Sequence, residues 1–267
     1  MIIVRRTLQV LFVLLIALAA DAADDGASPN TEIWRKVRAD LFGDRPIVNA
    51  GITGSILLEM PARAADAAVV PLAIRVRPSP NDAPMKKLYV VIDRNPSPIA
   101  AIFEFGGASG SPELETRVRI EEYTWVRVIA ERADGSLTAV QRFIKAAGGC
   151  SAPAGKSLAE RLAGMGQMKW RIDPPVDPSA PVWAQLMIRH PNNSGLAMDQ
   201  VTHLYDPPYF VRNVRVLHGD ELVFSADVDF SISENPAFRF TMRPGAGGAL
   251  RASVTDSNER VFESSAP

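Results

Sequence analysis

The chain has 267 residues, of which 47% are hydrophobic and 22% are charged, a composition typical of folded proteins and unlike that of a disordered chain. Its 29 lysines and arginines balance 30 acidic residues, so the sequence lacks the basic excess that nucleic-acid binding requires. The single cysteine, Cys150, excludes an intramolecular disulfide, a cysteine-rich zinc site and a C-x-x-C-H haem attachment motif.

The first 22 residues have the pattern of a cleavable secretory signal peptide. Arg5 and Arg6 precede an apolar run at 8–20, and the small residues Ala20 and Ala22 have the spacing that signal peptidase recognises. The run is about 13 residues long, which is short of the roughly 20 that span a bilayer. We therefore expect this segment to be removed and the protein to be exported, without a permanent membrane anchor; the resemblance given below implies the periplasm as its location.

A short helix is predicted after the signal peptide. Asn30 can cap it, and the apolar residues Ile33, Val37 and Leu41 recur at helical spacing. Gly43 is a plausible end of this helix.

From residue 55 to residue 144 the apolar period changes to two, which predicts β-strands. The predicted strands are 56–58, 69–76, 88–93, 99–105, 116–120, 123–131 and 137–144. Asp134-Gly135, between the last two strands, is the strongest hairpin signal in the chain. Because no helical pattern separates these strands, an antiparallel β-sandwich is favoured over a parallel sheet with crossover helices.

A change of composition separates a second strand-rich region from the first. Residues 146–155 are rich in Ala, Gly, Ser and Pro, a short helix is predicted at 157–163, and residues 173–181 are rich in proline. The strands predicted beyond them are 182–188, 209–217, 221–228, 238–242, 250–255 and 260–263. We therefore predict an all-β protein with a β-sandwich domain at 30–155, a linker at 156–181 and a second, smaller β-sandwich domain at 182–267.

The lone thiol lies among small residues, in the segment Gly148-Gly149-Cys150-Ser151-Ala152-Pro153. Glycine restrains the backbone little, whereas a cysteine that serves core packing usually has large apolar neighbours. The sequence therefore predicts a flexible, exposed arm that presents Cys150 to a partner, although an inert packed cysteine is the alternative. Three nearby cations could favour the thiolate or an anionic adduct: Arg142, Lys145 and Lys156.

Other candidate chemistry is weaker. The three histidines, His190, His203 and His218, lie near predicted turns without an acidic cluster, which favours hydrogen-bonding roles over a metal site. The sequence contains no G-x-S-x-G motif, and a lone cysteine has no resolving partner for thiol redox catalysis. We predict no metal and no cofactor, and we expect the tryptophans to serve packing: Trp34, Trp125, Trp170 and Trp183.

The glycine-cysteine arm, together with several segments of the second half, resembles the SoxYZ carriers of periplasmic sulfur oxidation, here as a fusion of a SoxY-like part and a SoxZ-like part. The segments that carry the resemblance in the second half are Ile188-Arg189-His190-Pro191, Ser194-Gly195, Pro208-Tyr209-Phe210-Val211, Gly219-Asp220 and Ser233-Glu234-Asn235-Pro236-Ala237-Phe238-Arg239-Phe240.

The resemblance implies two immunoglobulin-like sandwiches and a carrier without catalysis of its own. Cys150 matches the carrier thiol, which holds a sulfur intermediate covalently while partner enzymes act on it. In the family the arm is a free C-terminal tail, whereas here residues 151–155 continue into the second part. The fused form is similar to carriers associated with periplasmic quinoprotein dehydrogenase systems, so the expected partners are enzymes of such a system or of a sulfur-oxidation-like one.

An alternative from another functional class stays open. The chain could be a β-sandwich adaptor that docks to a periplasmic dehydrogenase or its cytochrome without carrying any cargo.

Overall fold

The computed structural model describes residues 31–77, 79–152, 158–174, 177, 179–199, 202–243 and 248–266. The predicted signal peptide, Pro153 of the predicted arm and Lys156 lie outside these residues. Within the described ranges no helix is both long enough and apolar enough to cross a membrane.

The described α-helices are short: α1 (Glu32–Phe42), α2 (Ala50–Thr53) and α3 (Leu158–Leu162). The N-terminal helix α1 was predicted, but its cap is Thr31 rather than Asn30, because the Thr31 side chain accepts a hydrogen bond from the Trp34 N–H at 3.0 Å. The helix ends at Gly43, as predicted, where φ is +57°. Helix α3 was also predicted, within two residues of its observed bounds.

The strands of the first half are β1 (Ile47–Asn49), β2 (Ile56–Glu59), β3 (Val70–Val76), β4 (Met85–Ile92), β5 (Ile99–Phe105), β6 (Leu114–Val118), β7 (Thr124–Arg132) and β8 (Leu137–Ile144). Those of the second half are β9 (Met168–Ile172), β10 (Val182–Ile188), β11 (Val211–His218), β12 (Glu221–Val228), β13 (Ala237–Met242), β14 (Leu250–Asp256) and β15 (Val261–Ser265). Every predicted strand is present, and the all-β fold class is confirmed. Strands β1 and β9 were not predicted, and β9 lies inside the predicted linker.

The strands form two sheets, each of which runs through both halves of the chain. The large sheet has nine strands in the order β1-β8-β7-β4-β5-β12-β11-β14-β15, and the small sheet has six in the order β2-β3-β6-β13-β10-β9. The halves join where β5 pairs with β12 and where β6 pairs with β13, both antiparallel. Among the described strands every pair is antiparallel except β1 with β8, which is parallel. The two predicted sandwiches are therefore continuous with each other through both of their sheets.

The main apolar core is shared by the two sheets, and a smaller buried cluster packs α1 against β4, β7 and β8. One cluster of buried side chains includes residues from both sheets and both halves. At the join, the Phe103 ring lies 6.0 Å from the Phe224 ring and 6.1 Å from the Phe238 ring, both in edge-to-face geometry. Along strands such as β3 and β10 alternate side chains point into this core, which produces the period-two pattern of their sequences.

A tryptophan also bridges the halves on the outer face of the small sheet. The Arg75 guanidinium of β3 lies 5.3 Å from the Trp183 ring centre, and that of Arg239 on β13 lies 4.2 Å from it. Both arginines also form ion pairs with Glu115. Trp183 thus has the packing role that the sequence predicted, at the contact between the two halves.

Candidate functional site

The segment that carries the thiol follows β8 and packs against the chain that follows β6. The N–H of Gly148 donates to the carbonyl of Glu121 at 2.8 Å, and the N–H of Gly149 donates to the carbonyl of Ile120 at 2.9 Å. Cys150 is only 2% exposed. The sequence predicts an exposed arm, but the structure holds residues 148–151 by hydrogen bonds in a packed position.

The two glycines explain this difference. A Cβ at Gly149 would lie 2.1 Å from the carbonyl oxygen of Ala67, so no larger residue fits without moving the backbone. Gly148 has a φ of +78°, a conformation that other residues adopt only at a cost. The pair therefore permits a tight turn and close backbone packing, which is a different use of glycine from the mobility that the sequence suggested.

One carboxylate holds the backbone on both sides of the thiol. Oε2 of Glu121 accepts hydrogen bonds from the N–H of Cys150 at 2.8 Å and of Ser151 at 3.1 Å. Oε1 accepts from the Ser151 hydroxyl at 2.7 Å. From the second half, the Ser194 hydroxyl donates to the carbonyl of Cys150. Glu121 and Ser194 thus fix the segment from opposite halves of the chain.

The thiol borders a cavity of about 190 Å³ at the join between the halves. The described residues that line it from the first half are Asp66, Ala68, Val69, Arg119, Gly149, Cys150 and Ala152, and those from the region beyond it are Arg161, Pro191, Asn193, Ser194, Ala197 and Glu234. The volume equals that of about six water molecules at roughly 30 Å³ each. Because its lining comes from both halves of the chain, neither half alone would form this cavity.

The electrostatic environment keeps the buried thiol protonated. Burial is the largest of the effects that together raise the pKa of Cys150 to about 12; the Glu121 and Asp229 carboxylates act in the same direction, and the Arg119 guanidinium opposes them. Because the thiolate is the reactive form, this closed arrangement leaves Cys150 a poor nucleophile near neutral pH.

Among the described residues, the cation that acts on the pKa of the thiol is Arg119, which the sequence did not suggest; Lys156, which it did suggest, lies outside those residues. Arg142 and Lys145 are exposed, whereas Arg119 is 9% exposed and lines the cavity. Glu121 was not among the residues predicted from the sequence either. No spacing in the sequence marks either residue, since both reach Cys150 through the packing of the β6–β7 connection against the segment after β8.

The segment Ile188-Arg189-His190-Pro191, which the sequence singled out, contributes Pro191 to the second-half wall of the cavity. His190 is fully buried, and its Nδ1 accepts a hydrogen bond from the Asn192 N–H at 3.1 Å. Its Nε2 lies 3.7 Å from Oδ2 of Asp256, which accepts from the Tyr209 hydroxyl at 2.6 Å. His190 therefore has the hydrogen-bonding role predicted for it. Within the described residues no group of three or more His, Cys, Asp or Glu side chains is placed to hold a metal ion.

The burial of His190 predicts a loss of stability in mild acid. Desolvation lowers the pKa of His190 to about 4, so between pH 6.5 and pH 4 the unfolded chain binds a proton that the folded chain excludes. The free energy of unfolding should fall with decreasing pH in this window, with a limiting slope from this group of about 1.4 kcal/mol per pH unit. We expect His190→Gln to have a shallower pH dependence in denaturant unfolding, and an unchanged slope would contradict this role.

Two family models match the chain, one on each side of the cavity. Residues 38–150 match SoxY, a sulfur oxidation protein, and the match ends at Cys150. Residues 174–267 match SoxZ, also a sulfur oxidation protein. No curated protein shows significant similarity to the chain. Together the two matches cover most of the sequence and nearly all of the strands, so the chain is a fusion of a SoxY-like part and a SoxZ-like part.

Proposed function

We propose that this protein is a periplasmic carrier that holds a sulfur-containing intermediate covalently on Cys150 and presents it to partner enzymes. Its two families support a carrier role in sulfur oxidation. The observation that carries the proposal is the position of the one cysteine, which ends the SoxY match and borders a cavity built jointly with the SoxZ-like part. Covalent attachment keeps a reactive intermediate at high effective concentration near each enzyme in turn.

Carrying a cargo requires the segment at 148–151 to open. In the closed arrangement the thiol is buried and protonated, whereas loading needs an accessible thiolate. The segment is held mainly by hydrogen bonds that it donates to the Glu121 carboxylate and to backbone carbonyls and by one that it accepts from Ser194, and its own side chains are small. Each such bond contributes about 1–3 kcal/mol, so a docking partner that replaces several of them could release the segment.

Joining the Cys150 sulfur to a thiol-level sulfur of the cargo releases two electrons, which an oxidising partner enzyme must accept.

The location and the partners rest on the sequence. The apolar run at 8–20, with Ala20 and Ala22 after it, supports export to the periplasm. The fused order of the two parts supports a quinoprotein dehydrogenase system as the source of partner enzymes. On this proposal the protein has no catalysis of its own and needs no cofactor, since the partners perform each chemical step.

Mass spectrometry of the intact protein, purified from its native periplasm, tests the carrier role. We expect a mass increase located on Cys150 and removed by a thiol reductant when the adduct is a disulfide or a thiosulfonate. The Cys150→Ser variant, isolated in parallel, should carry no adduct, and the chain has no other cysteine to confuse the result. Protein that is always unmodified at Cys150 while its pathway is active would contradict the carrier role.

One observation favours the second candidate function, a β-sandwich adaptor without cargo. The Cys150 side chain is as buried as the core residues around it, which is the usual state of a cysteine that serves packing. The Cys150→Ser variant distinguishes the two functions in cells. A carrier loses pathway activity but keeps its partners in a pull-down, whereas an adaptor keeps both.

A further inference from the structure

A small hairpin of the second half lies beside the cavity that the thiol borders. It comprises residues 196–206, of which 196–199 and 202–206 are described. The N–H of Asp199 donates to the carbonyl of Leu204 at 2.9 Å, and the N–H of Asp206 donates to the carbonyl of Ala197 at 3.3 Å. Because Ala197 also lines the cavity, the base of this hairpin forms part of the cavity wall.

Further contacts tie both ends of the 196–206 hairpin to the site. The Ser194 hydroxyl, which donates to the carbonyl of Cys150, accepts a hydrogen bond from the N–H of Leu196 at 3.1 Å. At the other end, Asp206 forms an ion pair with Arg161, and Arg161 lines the cavity. The hairpin is therefore fixed next to the thiol by contacts on both of its strands.

The 196–206 hairpin exposes large apolar side chains. Leu204 is 69% exposed and Tyr205 is 60% exposed, which makes them the two most exposed large hydrophobic side chains among the described residues. Leu196 is also exposed, as is Val69 of the first half, which lines the cavity. Single exposed apolar residues are common on protein surfaces, whereas several around one cavity mark an interaction surface.

The accessible charge around the cavity is acidic. Among the described lining residues the two arginines, Arg119 and Arg161, are buried, and Arg161 is already paired with Asp206. The two lining carboxylates are more accessible, since Asp66 is exposed and Glu234 is half-buried. A protein that approaches this edge is therefore attracted to it when its own surface carries lysine or arginine side chains.

We propose that the 196–206 hairpin, together with Val69, is the surface on which a partner enzyme docks beside Cys150, and that this enzyme presents an apolar recess bordered by basic side chains. The inference rests on the proposed function, since a carrier must be reached by an enzyme at its thiol. Tyr205 gives the enzyme an aromatic anchor, and Leu204 extends the apolar contact. Docking at this position brings the enzyme to the edge of the cavity that contains the thiol.

Photo-crosslinking in cells of the native organism identifies what docks on the hairpin. The full-length protein carries p-benzoylphenylalanine in place of Tyr205, and in a control it carries the same group in place of Ile172, an exposed apolar residue of β9. We expect irradiation to join the protein to a periplasmic enzyme from position 205 and not from position 172. The same product should form in the Cys150→Ser background, because docking does not need the thiol.

Binding of the purified, crosslinked enzyme then measures the contribution of the apolar side chains. The double variant Leu204→Ser with Tyr205→Ser should bind at least about tenfold more weakly than the wild type. The matched control is Val48→Ser with Ile172→Ser, which removes two exposed apolar side chains elsewhere and should leave the affinity unchanged. Added salt should weaken binding of the wild type, because the charges at the edge are accessible. Since all four side chains are exposed, both double variants should keep the urea unfolding curve of the wild type and its rate of Cys150 alkylation.

The outcomes separate this inference from the carrier function. A yield from position 205 no higher than from position 172, or equal affinities of the two double variants, overturns the docking surface. A product that contains a second copy of this chain overturns the assignment to an enzyme. Docking on the hairpin with no adduct ever found on wild-type Cys150 supports the surface and contradicts the carrier function. An adduct that forms equally on the wild type and on Leu204→Ser with Tyr205→Ser supports the carrier function and contradicts the surface.

Discussion

Replacing Glu121 by alanine is expected to speed alkylation of the Cys150 thiol at least about tenfold. The substitution removes the acceptors of three hydrogen bonds that hold Cys150 and Ser151, and it also removes a negative charge that raises the pKa of the thiol. Both effects increase the amount of accessible thiolate near neutral pH. The rate of reaction with iodoacetamide reports on this one site, because the chain has no second cysteine.

Two further variants show how much of the faster alkylation comes from loss of the charge and whether it is specific to Glu121. Glu121→Gln removes the charge but keeps an acceptor for the two N–H groups, so its rate should fall between those of the wild type and Glu121→Ala. Glu122→Ala removes the neighbouring carboxylate, which forms an exposed ion pair with Arg94, and should leave the rate unchanged. If Glu121→Ala reacts no faster than Glu122→Ala, the Glu121 carboxylate does not control access to the thiol.

The largest loss of stability at the site is expected from Gly149→Ala. The added Cβ would meet the carbonyl oxygen of Ala67 at 2.1 Å and its carbonyl carbon at 2.6 Å, and both atoms belong to backbone that cannot turn away. We expect a decrease of about 3 kcal/mol in the free energy of unfolding, or a native state in which the segment has left its position and the thiol reacts rapidly. Urea unfolding, together with the alkylation assay, measures both results.

Gly148→Ala is the matched control for this substitution. It places the same methyl group one residue earlier, where the nearest atom is the Ser151 hydroxyl oxygen at 3.9 Å. Its cost comes only from the φ of +78° and should be about 1–2 kcal/mol. Equal effects of the two substitutions would show that backbone conformation, rather than close packing on Ala67, explains the glycine pair.

Much of the fold was predictable because one physical pattern dominates it. Strands whose alternate residues face a common core, such as β3 and β10, have a period of two that can be read directly from the sequence. Strand β1 has only three residues, which is too short for a period to show. Strand β9 does alternate apolar and charged residues, but it has only five residues and lies between turn-rich segments, inside the predicted linker. The continuity of the sheets could not be predicted, since the pairing of β5 with β12 joins residues that are distant in sequence.

The sequence predicted where the thiol segment lies in the chain, but not that it would be packed and buried. The lone cysteine among glycines marked the segment, and its composition suggested mobility. Tertiary contacts decide that the segment is packed and the thiol buried. These contacts are made by the carboxylate of Glu121, the hydroxyl of Ser194 and the carbonyl of Ala67, which all come from other parts of the chain. Small residues permit either a mobile arm or a closely packed turn, and the sequence around Cys150 does not contain the contacts that select between them.

The sharing of both sheets by the two halves has a consequence for assembly. When complementary parts are separate polypeptides, the complex dissociates on dilution, and its stability depends on the amounts of both partners. Here the β5–β12 and β6–β13 pairs form within one molecule, so the stoichiometry is fixed at one to one at any concentration. A pocket whose walls come from both parts, as the cavity beside Cys150 does, consequently stays complete in a compartment where the protein is scarce.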